Sequence, residues 1–416
     1  MKKIILPYKW ELVILLWIAF FFNQADRQIF NVVLPLIRDD LHLTDADMGL
    51  VASVLTLLYG ILVPIAGLIG DRISKKKIII ISLLVWSGAT LLTGISTTLI
   101  ELIILRSVAT GGGEAFYSPS ANSSISEVHD ERTRATALSI HQTALYVGII
   151  SSGYIAGALA EILGWRHTFY LFGGFGILLG IILHFRMKDS INTQISNTSN
   201  EGITIKETLS AFFKKPTAIL LSLAFAGMQF VGVGFLTWMP TFLHENFYFS
   251  LARAGFDSTF YHHVGAFVGV ILGARVADKF VHKYHKMRVS IQATGLLLGA
   301  PFIYLMAKSS SILIIYISML LFGIFRGMFD SNIFASLYQV IPVKYRAAST
   351  GFMLMFAFII GSISPYLLGL YKPIFGLENG LASLSIIYIV ASAIIFIAIA
   401  FTFSRDYLKQ DVYMEK

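Results

Sequence analysis

Asp26, Arg27, Glu114, Arg326 and Asp330 are charged residues that stand deep inside long apolar stretches of this 416-residue chain. A charge at the centre of a membrane span costs roughly 2.5–3.5 kcal/mol on insertion scales, so each of these residues needs a compensating role. At about 1.5 Å per residue from the start of its apolar stretch, Asp26 lies about 25 Å in, Glu114 about 22 Å and Arg326 about 21 Å. The shared depth predicts a central polar cavity.

The residue types indicate chemistry with a charged solute. A planar guanidinium binds a carboxylate through two parallel hydrogen bonds, so we assign Arg27 and Arg326 to a clamp on a small organic anion. The protonation of a buried carboxyl responds to a neighbouring arginine, so we assign proton coupling to Asp26 and Glu114. Asp330 is a further candidate for the binding site.

Six other polar residues in apolar stretches are weaker candidates for binding substrate hydroxyl groups: Tyr59, Tyr117, Asn122, Gln142, Gln229 and Asn332. Taken singly, each is equally consistent with a hydrogen bond between two helices. Arg106 fits either a positional role or a side chain that reaches toward the membrane surface. His141, His262 and His263 fit either a proton relay or packed polar residues.

The composition excludes a soluble protein. Hydrophobic residues make up 56% of the chain, about 233 residues, and charged residues only 13%, against roughly 25% charged in globular domains. The absence of cysteine excludes disulfides, thiolate metal sites and cysteine nucleophiles. The chain has no phosphate-binding loop and no hydrolase, zinc-protease or dinucleotide fingerprint, so we expect neither an enzyme nor an ATP-driven pump.

Windows of about 19 residues predict an all-α membrane protein with six apolar spans, a linker and six more. Spans 1 to 6 are predicted at 10–37, 47–70, 78–98, 99–126, 136–161 and 165–187. Spans 7 to 12 follow at 216–243, 253–277, 288–307, 311–341, 347–371 and 380–404. The predicted domains are an N-terminal six-helix bundle at 1–187, a cytoplasmic linker at 188–215 and a C-terminal six-helix bundle at 216–416.

Side-chain directions follow from this assignment. Asp26 and Arg27 are consecutive in span 1, so they point about 100° apart. We therefore place Asp26 at the contact of spans 1 and 4, near Glu114, and Arg27 in the cavity. Arg326 and Asp330 are spaced i, i+4 in span 10, so they share a face and can pair locally.

The distribution of basic residues predicts the orientation in the membrane. Of the 32 lysines and arginines, 23 fall in the segments that are inside if the N-terminus is cytoplasmic, and 5 fall in the outer loops. This positive-inside bias places both termini in the cytoplasm of a multi-pass protein of the cell (inner) membrane. The net charge of +8 is thus explained by topology, and we expect a lipid bilayer and no nucleic acid as partner. The basic segment Met1–Lys9 runs into span 1 without a cleavage site, which predicts a retained first span.

The two halves repeat weakly in sequence. The loop after span 2 carries Gly67, Asp71 and Arg72, and the loop after span 8 carries Asp278. These four residues are candidates for a gating loop that pins neighbouring helices, although topogenic charge explains them equally well.

A second repeated loop relates the deep charges of the two halves. Arg134 and Arg346 are 212 residues apart in similar loops, and the same offset relates Glu114 to Arg326. Related six-helix halves are typical of secondary transporters, which bind substrate where the repeats meet.

The chain resembles the major facilitator superfamily over essentially its whole length. The resemblance rests on the six-plus-six plan, on Arg106 in span 4, on the weaker copy at Asp278 and on the loop residues Gly67, Asp71, Arg72, Lys75 and Lys76. Ser74 stands where that loop usually has glycine.

Within the superfamily the chain resembles two groups, the anion:cation symporters of sugar acids and the Spinster-like transporters of lipids and amphiphiles. The matching residues are Asn23 to Arg27 in span 1, and Glu114 with its neighbours and Pro119 in span 4. The resemblance implies functional roles for Asp26, Arg27 and Glu114. Eight positions separate Arg106 from Glu114, where the resemblance implies seven.

The leading hypothesis is a proton-coupled symporter that imports a small organic anion, such as a hexuronate or an aldonate, by alternating access. A Spinster-like transporter of lysolipids and a proton-coupled drug exporter are the alternatives, although an exporter predicts an acidic cavity without deep arginines. We expect a monomer without a cofactor, driven by a proton gradient, with Na⁺ as the other possible coupling ion.

Overall fold

The computed structural model describes residues 7–70, 73–189 and 205–408, with the backbone alone at 67–70 and 205–206. These ranges are helical, and no strand occurs in them, so the predicted all-α class is confirmed. Ten spans have helices that are long and apolar enough to cross a membrane. Spans 4 and 8 are the other two of the predicted twelve.

The helices extend a few residues beyond most of the predicted apolar stretches. The first six spans are Tyr8–Asp40, Asp45–Gly70, Lys75–Thr93, Leu99–Val128, Glu131–Leu163 and Trp165–Arg186, followed by a short helix, Ile205–Phe213. The last six spans are Pro216–Phe247, Leu251–Val281, Met287–Lys308, Ile312–Tyr338, Val343–Phe375 and Leu377–Asp406. Span 10 is interrupted after Asp330 and span 11 after Gly361.

The chain clusters into two compact units that do not follow the predicted boundaries. Unit 1 consists of Met1–Asn197, Val233–Phe260 and Ser362–Leu377, and unit 2 of Thr198–Gly232, Tyr261–Gly361 and Glu378–Lys416. Spans 7, 8 and 11 each contribute to both units. Most of the predicted linker, residues 190–204, lies outside the described residues, and the division into two sequential bundles stays a prediction.

Polar caps begin helices and glycines follow their last residues, as in span 5. Asp130 accepts a hydrogen bond from the backbone of Thr133 at the start of span 5, which satisfies one of the free amides there. Gly164 and Gly376, at the turns after spans 5 and 11, have φ of 85° and 78°, a backbone region that favours glycine. The two glycines are 212 residues apart, so the turns support the internal repeat seen in the sequence.

Span 5 and the start of span 8 pack backbone against backbone in unit 1. A Cβ atom added at Gly153 would lie 2.4 Å from the carbonyl oxygen of Gly255, and one at Gly157 would lie 2.3 Å from the amide of Ala252. Neither position has room for a side chain. Small residues allow this approach, which favours helix association in lipid.

Spans 2 and 11 form a second seam of the same kind in unit 1. A Cβ atom added at Gly49 would lie 2.3 Å from the carbonyl oxygen of Pro365, and one at Gly369 would lie 2.3 Å from that of Asp45. Gly369 is 212 residues after Gly157, so the repeated halves use equivalent positions for the two seams.

Span 4 contains a π-helical segment, Ile103–Ala109, in which the amide of Thr110 bonds the carbonyl of Leu105. Along a regular α-helix, eight residues turn by about 800°, which would leave Glu114 about 80° away from Arg106 around the axis. A seven-residue spacing would leave only about 20°. The wider π-turn absorbs one residue and brings the two side chains back toward a common direction.

We expect deletion of Val108, an exposed residue of the π-segment, to be tolerated. The shorter segment can form regular α-helix while Arg106 and Glu114 keep their partners. Insertion of one alanine after Val108 is the matched control, and it should destabilise the protein by about 3–5 kcal/mol because it separates a buried charge pair. Thermal unfolding and size-exclusion profiles of both variants measure this, and equal damage by deletion and insertion would contradict the account.

Candidate functional site

Arg27 of span 1 forms an ion pair with Glu114 of span 4 inside unit 1. Arg27 Nε lies 2.6 Å from Glu114 Oε2, and the Glu114 side chain is fully buried whereas that of Arg27 is 26% exposed. The guanidinium also lies 3.9 Å from the centre of the Tyr59 ring, close enough for a cation–π contact. Two residues predicted from depth, together with Tyr59, thus form one cluster.

This pair has unused hydrogen-bonding groups. Among the described residues, Arg27 Nη2 and Glu114 Oε1 are buried and have no hydrogen-bond partner. Buried polar groups are nearly always bonded, and such exceptions call for an explanation. A bound carboxylate would satisfy the free donor, and a proton would satisfy the free acceptor.

Asp26 forms its ion pair with Arg106 of span 4. Its carboxylate Oδ2 lies 3.6 Å from Arg106 Nη1 and accepts a 2.5 Å hydrogen bond from the Thr90 hydroxyl. Arg106 Nη2 also donates to the backbone carbonyl of Asp26 at 2.6 Å. Asp26 thus lies at the contact of spans 1 and 4, as the sequence predicted, and Arg27 is the residue that pairs with Glu114.

Arg106 is a positional residue in this structure. Its side chain is 1% exposed, so it does not reach toward the membrane surface. The π-turn accounts for the eight positions between Arg106 and Glu114, where the family resemblance implies seven. Thr90 was missed by the sequence analysis, since a single threonine in an apolar span carries no distinguishing signal.

In unit 2, Arg326 lies among groups that hold it in place. Its Nε is 3.6 Å from Asp330 Oδ2, as the i, i+4 spacing predicted. Its Nη1 is 3.3 Å from His262 Nε2, and because a guanidinium can only donate, that histidine nitrogen is the acceptor. His262 is therefore neutral in this arrangement. A Cβ at Gly232 would lie 2.8 Å from Arg326 Nη1, so the guanidinium packs on bare backbone.

Two predicted binding residues have structural contacts instead. The Tyr117 hydroxyl is buried and donates to the carbonyl of Leu16 at 2.5 Å, inside the apolar cluster of unit 1. The Asn332 amide donates to the Gly273 carbonyl and accepts from Arg288. These bonds join helices, which is the other role that the sequence left open for each residue.

Three further candidates differ in exposure: Asn122 and Gln229 are partly buried and Gln142 is exposed. Their binding of substrate hydroxyl groups stays a prediction. His141 stacks on Phe20 and lies 3.3 Å from the Tyr117 hydroxyl, so it belongs to the packed polar residues.

The structure describes some of the residues of the candidate gating loops. Asp278 forms an ion pair with Arg288 at 2.6 Å within unit 2. Asp71 and Arg72 lie outside the described residues, and only the backbone of Gly67, in the helix of span 2, is described.

Four charges at the predicted outer ends of spans form a network that the sequence analysis missed. Arg38 Nη1 lies 2.8 Å from both Asp45 and Glu245, and Lys372 Nζ lies 2.9 Å from Asp45 and 2.7 Å from Glu245. All four residues belong to unit 1 and come from spans 1, 2, 7 and 11. In the sequence, Arg38 and Lys372 counted only as outer-loop charges.

Known proteins resemble this chain over most of its length. The family model of the Major Facilitator Superfamily matches residues 16–365. The chain is 27% identical to Protein spinster homolog 1 of Xenopus tropicalis, over 86% of this chain and 72% of that protein. It is 26% identical to the hexuronate transporter of Bacillus subtilis (strain 168), over 66% of this chain and 65% of that protein.

A solved structure supports the fold. It is the crystal structure of a bacterial homolog to the human lysosomal transporter Spinster, in an inward-facing and unoccupied conformation, and it matches with a TM-score of 0.83 and 22% identity. The match covers 97% of this chain and 99% of that chain. The family resemblance inferred from the sequence is thus confirmed, and the chain belongs to the Major Facilitator Superfamily of membrane transporters.

Proposed function

We propose that this transporter is a proton-coupled symporter that imports a small organic anion, with a sugar acid such as a hexuronate or an aldonate as the first candidate. It works as a monomer in the inner membrane, with both termini in the cytoplasm and without a cofactor. The observation that carries the proposal is the Arg27–Glu114 pair, which joins an anion-binding group to a proton-binding group in one contact.

Substrate and proton would be coupled through competition for Arg27. An incoming carboxylate uses the free Nη2 donor and can displace Glu114, because a guanidinium fork favours bidentate binding. Breaking a buried ion pair leaves an uncompensated charge that costs about 3–5 kcal/mol. A proton on Glu114 removes that cost, so the loaded state takes up both anion and proton.

The second anion ligand in the proposal is Arg326. The internal repeat relates it to Glu114, and its contact with neutral His262 leaves its positive charge only partly balanced by Asp330, at 3.6 Å. The two-sided clamp of Arg27 and Arg326 stays a prediction from the sequence.

Alternating access requires contacts that can open. We assign this role on the outer side to the four-charge network and to the two glycine seams, since both join spans of the first half to spans of the second half. Separating the glycine contacts themselves breaks no covalent bond, and the charged groups at the predicted outer end can be solvated by water.

The relationship to Protein spinster homolog 1 favours a second candidate, an amphiphile transporter that binds a charged head group at the same arginine. Uptake into proteoliposomes with an inward-directed proton gradient separates the two. We expect a labelled hexuronate or aldonate to accumulate and lysolipid not to compete. Competition by lysolipid without sugar-acid uptake would favour the second candidate, and accumulation without a gradient would contradict proton coupling.

Glu114→Gln should abolish proton-driven uptake and preserve counterflow exchange. The amide keeps the size of the side chain but cannot carry a proton, so the loaded carrier still cycles while net coupling is lost. Both activities are measured in the same proteoliposomes, with Glu131→Gln, an exposed residue at the start of span 5, as control. Loss of exchange together with uptake would argue against a carrier role for Glu114.

Arg27→Lys should weaken anion binding by about ten- to hundredfold, as expected for the loss of a charged hydrogen bond of about 1.5–3 kcal/mol. An ammonium preserves the charge but not the fork. Binding is measured by calorimetry on purified protein, with Arg186→Lys, an exposed residue at the end of span 6, as the matched substitution. Equal affinity in the two variants would contradict the role of Arg27.

Lys372→Ala should favour opening of the predicted outer side, because Asp45 and Glu245 then share one cation instead of two. The chain has no cysteine, so Ser53→Cys, at the seam of spans 2 and 11, provides a unique label site. Labelling of that cysteine by an impermeant maleimide should become several-fold faster than in the background protein. Lys308→Ala, which removes an exposed pair with Glu378, is the control, and no difference between the variants would contradict the assignment.

A further inference from the structure

A small cavity lies beside Asp26, on the side of span 1 that faces spans 3 and 6. It leaves about 10 Å³ for the centre of a water-sized molecule, and its walls are Phe22, Asp26, Trp86, Ser87, Thr90 and Phe172. That volume is about what one water needs. All of the walls belong to unit 1.

The cavity has polar groups where a water would need them. Asp26 is 3% exposed, and in the described part of the chain its Oδ1 is buried without a hydrogen-bond partner. The Ser87 and Thr90 hydroxyls stand on the same wall, so three oxygens meet the usual two to four partners of a buried water. A Cβ at Gly176 would lie 2.1 Å from Ser87 Oγ, so this glycine leaves the space that the hydroxyl occupies.

The remaining surroundings of Asp26 cannot deliver a proton. Arg106, from span 4, holds the Oδ2 side and the backbone carbonyl, and a guanidinium does not give up its protons in proteins. Arg27 is likewise a guanidinium, and Glu114 is held in the ion pair with Arg27 in this structure. Span 6 contributes the apolar ring of Phe172, and span 3 contributes Trp86 and two hydroxyls that do not ionise.

We propose that this cavity binds one water molecule, which hydrogen-bonds Asp26 Oδ1 and Ser87 and exchanges the proton of the Asp26 carboxyl. In the forward step a proton from the aqueous phase arrives at this water as hydronium, one O–H bond of the hydronium breaks, and an O–H bond forms at Asp26 Oδ1, which leaves a neutral water and a neutral carboxyl. The reverse step returns the proton through hydronium to the aqueous phase. The evidence for the water site is the cavity with its polar groups, independent of the transported substrate. Its role in transport rests on the proposed proton coupling.

Radiolytic hydroxyl labelling of the purified transporter tests whether the cavity holds a water. Hydroxyl radicals form from a bound water and oxidise the aromatic rings that contact it. Trp86, which is 1% exposed, should be oxidised several-fold more than Trp238, which is fully buried. Ser87→Val fills the cavity and should reduce Trp86 oxidation to the level of Trp238. Thr93→Val, one turn away on span 3 with a hydroxyl that bonds its own helix, should leave it unchanged.

Equal oxidation of Trp86 and Trp238 in the wild-type protein would overturn the water site, even if Ser87→Val does not fold.

The role of the water in transport is tested with Ser87→Ala, which removes the hydroxyl and adds no atoms. Its proton-driven uptake should fall several-fold while counterflow exchange is retained, and unchanged uptake would overturn the role. If Asp26→Asn and Glu114→Gln both retain proton-driven uptake while Trp86 stays labelled, the proposed coupling fails and the water site stands.

Discussion

A charge inside an apolar bilayer must be paired, and this constraint organises the first unit of the transporter. Asp26 with Arg106 and Arg27 with Glu114 form two buried ion pairs between spans 1 and 4. Each pair fixes the rotation and the height of one helix against the other, because either charge left alone would be costly. The π-helical turn of span 4 follows from the same demand, since a regular helix with this spacing could not direct both Arg106 and Glu114 to span 1.

The two pairs differ in a way that suits different tasks. Asp26 and Arg106 are almost completely buried, and a threonine hydroxyl and a backbone carbonyl add hydrogen bonds to the pair. The Arg27 side chain is partly exposed. Burial therefore suits the first pair to hold the two helices together, and exposure suits the second pair to exchange partners. A transporter needs both kinds, because a binding residue can move only against a rigid support.

Helix packing in unit 1 obeys a further constraint of the bilayer. Lipid tails are as apolar as leucine, so helices gain little by burying apolar side chains against each other. The seams of span 5 with span 8 and of span 2 with span 11 instead rely on close backbone approach at glycines such as Gly153 and Gly49. Shape holds these surfaces together, and the charged network around Arg38 and Lys372 adds attraction at the predicted outer end. Such contacts can separate and re-form, which alternating access requires.

The sequence by itself determined the helical class, the number of spans, the family and which charged residues lie inside the spans, because hydropathy and spacing are properties of a chain read in one dimension. Asp26, Arg27 and Glu114 are among those residues. Only the tertiary structure decided which charge meets which, since one extra residue in a turn rotates a side chain by about 100°. It paired Asp26 with Arg106 and gave Tyr117 and Asn332 bonds that join helices. It also brought together Arg38, Asp45, Glu245 and Lys372, because contacts between distant spans depend on how the helices pack, which no local pattern records.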